Sequence, residues 1–221
     1  MGLSSLSGQL GPSLRAGYGQ SYYPAMHAKD AKVEPTMSSV RKIVSETNAL
    51  RKLNVIRERF RESISNGYEH RAKSCSSCPT FGACCSDEHF VNVRISRLEA
   101  TAIKRTLDDL NAEHRADILR RTDQTVDKYC LEENPSATYS CPLFERGKGC
   151  LVHHTAKPLP CINHACYEHR DDLPPDSLLD EAEIAVERLN QKVYGRSLPL
   201  ISLPIAIKRE MDPHIYTDKH G

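Results

Sequence analysis

Eight of the nine cysteines in this chain fall into two groups of four, and their spacing is the strongest chemical signal in the sequence. The first group lies in SCSSCPTFGACCSDEH and consists of Cys75, Cys78, Cys84 and Cys85. The second lies in CPLFERGKGCLVHHTAKPLPCINHACYEH and consists of Cys141, Cys150, Cys161 and Cys166. A two-residue gap, as between Cys75 and Cys78, lets neighbouring thiolates turn onto one metal centre. The pattern predicts that all eight are metal ligands, with buried free thiols or a redox disulfide as alternatives.

The cellular compartment bears on this prediction because structural disulfides form in oxidising surroundings. The N-terminus lacks the apolar core of a secretory signal and no apolar stretch approaches a membrane span, so we expect a cytoplasmic protein. A reducing cytoplasm and an odd cysteine count both argue against a disulfide framework. The ninth cysteine, Cys130, stands apart in a predicted helix and is expected to be a small buried core residue.

The metal stays open between an iron–sulfur cluster and zinc. Zinc favours four thiolates from paired CxxC knuckles, whereas this chain has one such pair and an irregular second group. Iron–sulfur clusters accept more varied spacing, which favours them slightly. Four histidines lie in or beside the second group and could replace a thiolate: His153, His154, His164 and His169. His164, which lies between Cys161 and Cys166, is the best candidate. Basic residues that could offset a negative centre are Arg71, Lys73, Arg146, Lys148, Lys157 and Arg170.

The order of these cysteines resembles the YkgJ-like cysteine-cluster proteins, a family described as chelating zinc or iron. The family pattern has CxxC followed closely by CC, then Cys-Pro, a further cysteine, and a basic residue with proline before C-x4-C. The later part corresponds here to Cys141-Pro142, Cys150, Lys157-Pro158, Cys161 and Cys166, and the match covers residues 75–167. A longer gap before CC, and lysine where the family typically has arginine, are departures. The resemblance implies a metal-binding domain with this core motif, and it supplies no reaction.

The rest of the sequence predicts a mainly α fold with short strands and irregular cysteine-rich loops organised around metal. Residues 1–32 are rich in Gly, Ser, Tyr and Pro without periodicity, which is typical of a flexible N-terminal arm. Residues 33–221 suit a single domain. Apolar residues at helical spacing predict a helix over 38–65 with a buried stripe of Val40, Ile43, Leu50, Leu53, Ile56, Phe60 and Ile64. Its predicted outer face is basic: Arg41, Lys42, Arg51, Lys52, Arg57, Arg59 and Arg61.

Local signals delimit the later elements. HFVNVRIS, residues 89–96, alternates apolar and polar residues and predicts a short strand. Ser96 and Glu99 fit a capping box for a helix over 97–110. Asn111 is expected to cap a second helix that Asn134-Pro135 closes, and a late helix lies between Pro174-Pro175 and Gly195. Ile184, Leu189 and Val193 are expected to face the body from that helix, while prolines predict an extended, docked tail.

Three classes of function fit the sequence. The first is a metal-binding protein whose centre is structural or carries electrons. The second is a metal-dependent redox or modifying enzyme, although Gly-rich phosphate loops, nucleophile elbows and metalloprotease helix motifs are missing from the sequence. The third is an adaptor that binds a protein partner through the basic helix 38–65. A net charge of +1 indicates neither nucleic acid nor a membrane as partner.

Overall fold

The computed structural model describes residues 44–74, 78, 80–86 and 92–212, and within them the chain is mainly helical, as predicted. The predicted arm over residues 1–32 and Cys75 lie outside the described residues. The described ranges contain seven α-helices: α1 Glu46–Gly67, α2 Ala83–Ser86, α3 Arg97–Asp108, α4 Ala112–Lys128, α5 Leu159–Asn163, α6 Asp176–Tyr194 and α7 Leu203–Met211. The same ranges contain two short 3-10 helices: Glu69–Arg71 directly precedes Ala72–Lys73, and Arg170–Asp172 lies shortly before α6.

Six two-residue strands form three antiparallel pairs in the described ranges. They are β1 Ala72–Lys73, β2 Arg94–Ile95, β3 Phe144–Glu145, β4 Gly149–Cys150, β5 Cys166–Tyr167 and β6 Ile201–Ser202. β1 pairs with β5, β2 pairs with β6, and β3 pairs with β4 in a hairpin. The pairs β1–β5 and β3–β4 lie next to the cysteines, whereas β2–β6 ties α3 to α7.

The long helices form the apolar core that carries the cysteine-rich segments. α1 packs on α6, α3 and α5, while α3 and α4 both pack on α7. Leu53 of α1, Ile103 of α3 and Ile118 of α4 are fully buried in this core. Burial of each such side chain contributes about 1.5–3 kcal/mol. The helices therefore supply the stable body, and the cysteine-bearing segments cover one part of it.

α1 begins later than predicted, and it buries four of its predicted core residues, namely Leu50, Leu53, Phe60 and Ile64. It starts at Glu46, because Val44 and Ser45 are not helical, and residues 38–43 lie outside the described part. Its buried stripe runs Leu50, Leu53, Arg57, Phe60 and Ile64 with alternating spacings of three and four. Arg57 thus occupies a core position, and its predicted place on the basic outer face was wrong. Ile56, which was also predicted to lie in the core, lies beside the stripe and is only half-buried.

Both predicted helix caps are confirmed. The Ser96 hydroxyl accepts from the Glu99 backbone N–H at 3.3 Å, and the Glu99 carboxylate accepts from the Ser96 N–H at 2.9 Å, which completes the capping box of α3. The Asn111 side chain accepts from the His114 N–H at 2.8 Å and caps α4. These contacts use residues three apart in sequence, so local sequence alone specifies them.

Cys130 is exposed and lies beyond the end of α4, so its prediction as a buried helical residue was wrong. It has a φ of +48°. Its N–H donates to the Asp127 carbonyl, and the Leu131 N–H donates to the Val126 carbonyl at 3.0 Å. This pair of bonds is the Schellman ending of a helix, usually made by glycine. The turn points Leu131 into the core, where it is fully buried, and leaves the thiol of Cys130 outside.

Three further expectations differ from the structure. The strand predicted over 89–96 is limited to β2 in the described part, since residues 92 and 93 are not in a strand and 89–91 lie outside it. Ile184 is exposed, because the buried positions of α6 are Val186, Leu189, Asn190 and Val193. The tail forms β6 and the buried helix α7 instead of an extended chain. Pro204 is tolerated there because the first turn of a helix needs no donor from it.

Candidate metal centre

Backbone contacts bring the two cysteine groups together. The Cys141 N–H, in the second group, donates to the Cys85 carbonyl in the first group at 2.8 Å. Beside it, the Ser140 hydroxyl donates to the Ser86 carbonyl at 2.8 Å. The β1–β5 pairing places Lys73 opposite Cys166, so the chain leading into the first group also meets the end of the second. Helices α3 and α4 lie between the groups in sequence, and both pack on α7.

Most of the described cysteines of the two groups lie on short regular elements where the sequence predicted loops, whereas Cys78 and Cys141 are in neither a helix nor a strand. Cys84 and Cys85 are on α2, Cys150 is on β4 and Cys161 is on α5. Gly82, just before α2, has a φ of +80°, which glycine adopts without strain. The Phe144 ring of β3 lies against Gly82 so closely that a Cβ there would be 1.8 Å from the ring. This contact fixes α2 on the β3–β4 hairpin.

Three thiols of the second group form a partly buried set whose members influence one another. Burial raises the pKa of Cys141 to about 12, and the neighbouring Cys150 adds to the rise. Burial also raises the pKa of Cys161, with smaller contributions from Cys141 and Cys150. The pKa of Cys150 is raised by burial and lowered in part by Lys157. Without a compensating cation these sulfurs stay protonated at neutral pH, because burial disfavours the thiolate.

The adjacent pair of the first group joins this set. The Cys85 thiol donates to the Cys84 sulfur, which lowers the pKa of Cys84 and raises that of Cys85. Burial and the thiols of Cys141 and Cys161 also raise the pKa of Cys85. His164, the first residue after α5, hydrogen-bonds the Cys84 sulfur and further lowers its pKa. We call the five thiols and this imidazole the inner cluster: Cys84, Cys85, Cys141, Cys150, Cys161 and His164.

The other predicted ligands have different surroundings. The Cys78 sulfur lies 3.8 Å from the Thr80 hydroxyl. Cys166 is exposed on β5 and contributes to the raised pKa of Lys73, which is set mainly by its contact with Glu168. Cys75 lies outside the described residues.

Two of the candidate histidines have a contact of their own. The rings of His153 and His154 lie edge to face, with their centroids 4.6 Å apart. The backbone carbonyl of His153 accepts a hydrogen bond from Arg61 on α1. The hydrogen bond from Arg61 ties the segment that carries both histidines to α1. His164 is the histidine for which the structure gives a contact with a cysteine sulfur.

Two basic side chains act on the thiols of the inner cluster, and the sequence predicted Lys157 but not Arg121. Lys157, which the sequence singled out, lies close enough to lower the pKa of both Cys150 and Cys161. Arg121 on α4 similarly lowers the pKa of Cys141, and nothing near Arg121 in the sequence marks it. Its guanidinium donates to the Phe144 carbonyl at 3.1 Å, so it also holds the hairpin.

A polar network extends from Arg121 over the hairpin. Glu145 accepts from His114 at 2.6 Å, from Arg121 at 2.8 Å and from Lys148 at 2.9 Å. Burial alone would raise the pKa of Glu145, but the bonds from His114 and Lys148 outweigh it and lower the pKa to about 2. These side chains line an open cleft of about 720 Å³. The network ties α4 to the hairpin that carries Cys150 and that begins three residues after Cys141.

The inner cluster fits a thiophilic metal in its chemistry. Thiolate and imidazole donors suit zinc and iron–sulfur centres, and a metal replaces the protons that burial otherwise keeps on the sulfurs. Within residues 44–74, 78, 80–86 and 92–212, however, no three or more His, Cys, Asp or Glu side chains are arranged to hold a metal ion. The described thiols are therefore neighbours that are not arranged as ligands around a metal ion. Metal binding by the eight cysteines stays a prediction.

Comparison with known proteins identified no relative of this chain. No family model, curated protein or solved structure matches the chain. The resemblance to the YkgJ-like proteins therefore stays a resemblance of motif. None of the helices in the described part of the chain is long and apolar enough to cross a membrane.

Proposed function

We propose that this chain is a metal-binding protein in which the cysteines hold an iron–sulfur cluster or zinc, with a structural or electron-transfer role. The observation that supports the proposal is the contact between the two cysteine groups, where the Cys141 N–H donates to the Cys85 carbonyl at 2.8 Å. Residues 55 or more apart in sequence thereby contribute thiols to one inner cluster. Sulfur donors gathered from separate segments are typical of structural zinc and iron–sulfur sites.

The protein's own residues have defined tasks in this proposal. Cys141 and Cys161 supply the most buried thiols, and Lys157 and Arg121 offset part of the negative charge of their thiolates. His164 lies against Cys84 as an additional donor. When bound, zinc would cross-link the segments, whereas an iron–sulfur cluster would also accept and release electrons.

A structural role is energetically sufficient. Structural zinc contributes about 10–16 kcal/mol of binding, which compares with a domain stability of about 5–15 kcal/mol. The segments that carry the inner cluster have only two-residue strands and helices of five residues or fewer. We expect chelation to unfold these segments and leave the long helices in place. Circular dichroism and proteolysis before and after chelation measure this, and identical results in both states would contradict a structural role.

The direct test is the metal content of protein purified anaerobically. Iron, zinc and acid-labile sulfide are measured per chain, together with the visible absorption spectrum. Iron with sulfide and a brown colour indicate a cluster, and stoichiometric zinc in colourless protein indicates a zinc site. The proposal fails if wild-type protein that is folded by circular dichroism contains neither metal in stoichiometric amount.

Single substitutions assign the metal to the inner cluster. We expect Cys85→Ser, Cys141→Ser and Cys161→Ser each to lower the metal content to well below half of that in the wild type. Cys130→Ser is the matched control, because Cys130 is exposed at the end of α4 and its sulfur contacts the Asp127 carbonyl. Unchanged metal content in the three inner variants would rule out the inner cluster as the site.

A further inference from the structure

The segment that leads into α5 is held by a buried arginine on α1. Arg57 is 2% exposed, and its Nη1 donates to the Thr155 carbonyl at 3.3 Å and to the Asn54 side chain at 3.2 Å. Its Nε and Nη2 have no hydrogen-bond partner among the described residues. A guanidinium is rarely buried, since leaving water is costly unless the charge is compensated. The position therefore calls for a reason beyond packing.

A buried carboxylate on α3 holds the other end of the same segment. Glu99 is 4% exposed. Its Oε2 accepts both the N–H and the hydroxyl of Ser96 in the capping box. Its Oε1 accepts from the N–H of Leu159, the first residue of α5, at 3.4 Å. The capping box needs one carboxylate oxygen, so the second is available for this contact across 60 residues of sequence.

The two charges act on one short stretch, residues 155–159, that ends two positions before Cys161. Burial lowers the pKa of Arg57, and the opposite charge of Glu99 counteracts it, so the two groups are near enough to interact. The Thr155 hydroxyl also accepts from Thr106 on α3 at 3.0 Å. α1 and α3 thus hold the stretch from both ends, by side chains of opposite charge.

We infer that Arg57 and Glu99 form a clamp that positions Cys161, and with it Lys157, in the inner cluster. Buried charge pairs are weak sources of stability but can select one arrangement over others. Here the selected arrangement is the path of residues 155–159 over the core. The clamp transmits the rigidity of two long helices to a five-residue helix that cannot be stable alone. As a statement about ligand placement, it rests on the proposed metal centre.

The first test uses reduced, folded protein as purified anaerobically, without chelation, and the reaction of Cys161 with iodoacetamide, followed by peptide mass spectrometry. We expect Arg57→Met to raise the Cys161 reaction rate by about tenfold, as loss of one buried hydrogen bond allows local opening. Arg57→Lys keeps a charge and a donor and should restore most of the protection. Arg59→Met is the matched control, because Arg59 is an exposed arginine on the same helix.

A second variant covers the case in which Arg57→Met leaves Glu99 as an uncompensated buried charge and prevents folding. Arg57→Met combined with Glu99→Gln removes both charges, and we expect it to fold and to expose Cys161 in the same way. Equal Cys161 reaction rates in the folded clamp variants and in Arg59→Met would overturn the inference.

The metal content of the same variants, purified anaerobically, separates this inference from the proposed function. Loss of iron or zinc in the clamp variants, with full content in Arg57→Lys and Arg59→Met, supports positioning of a ligand. Full content in the clamp variants would refute a role in the centre. If the wild type itself binds no metal, the proposed function fails, and the reaction rate of Cys161 still decides whether the clamp exists.

Discussion

Replacement of Gly82 by alanine tests the contact that fixes α2, and with it Cys84 and Cys85, on the β3–β4 hairpin. A Cβ at this position would lie 1.8 Å from Cζ of Phe144 and 2.5 Å from its Cε2. Since real Cβ contacts do not come below 3.0 Å, the ring would have to retreat by about 1.2 Å (3.0 minus 1.8). The Phe144 ring also lies near the exposed Phe81, with the two ring centroids 6.4 Å apart.

Two effects add to the expected loss of stability in Gly82→Ala. The backbone φ of +80° costs an alanine about 1–2 kcal/mol. Overpacking against the ring costs about 1–3 kcal/mol more. The sum is about 2–5 kcal/mol of the free energy of unfolding, if the hairpin and α2 unfold together with the core.

The matched control is Gly147→Ala. Gly147 has nearly the same φ, +85°, but nothing lies within 4 Å of its would-be Cβ, so it should show the backbone cost alone. The double variant Gly82→Ala with Phe144→Leu should recover part of the loss, because the shorter side chain leaves room for the methyl group. Urea unfolding followed by circular dichroism measures the wild type, these three variants and Phe144→Leu alone, which completes the cycle. Equal destabilisation by the two glycine substitutions, or additive losses in the double variant, would refute the reasoning.

The structure also predicts the direction in which two other substitutions change the free energy of unfolding. Because the folded-state pKa of Glu145 is about 2, below its ordinary 4.5, its ionised form stabilises the fold above pH 4.5, and that contribution is lost as the pH falls from 4.5 to 2. We expect Glu145→Gln to weaken the fold at pH 7 by about 1–3 kcal/mol and to flatten this acid limb of a stability–pH curve; an unchanged limb would exclude this role. Ser96→Ala removes the capping hydroxyl of α3 and should cost about 1–2 kcal/mol in urea unfolding, whereas a loss below a few tenths would mean that the cap is dispensable.

Interactions between residues close in sequence were predictable. The capping box of Ser96 and Glu99 and the cap at Asn111 join residues three positions apart, and Gly195 ends α6 with a φ of +76°. Each depends on one side chain and the adjacent backbone, so its sequence signal does not require the tertiary fold. The cysteine order likewise predicted a shared chemistry for both groups.

Interactions between distant residues were not predictable in the same way. Arg57 was placed on a solvent face because arginines are usually exposed, yet its helical position falls on the core stripe and its partner is Thr155, 98 residues away. Cys130 was predicted to lie in the core because free cysteines are often buried. Instead the chain turns at Cys130 so that Leu131 is buried and the Cys130 thiol is exposed. In each case the packing of a neighbour overrode the average tendency of the residue type.

The sequence by itself determined the helix caps, the mainly α class and the two groups of cysteines, because periodicity, local hydrogen bonds and spacing involve only a few residues. The tertiary structure decided that Cys85 and Cys141 lie side by side and that Arg121 and Lys157 adjoin the thiols. It also decided that the tail folds as α7 against α3 and α4. These depend on how long helices pack across one core, and that packing is a property of the whole chain.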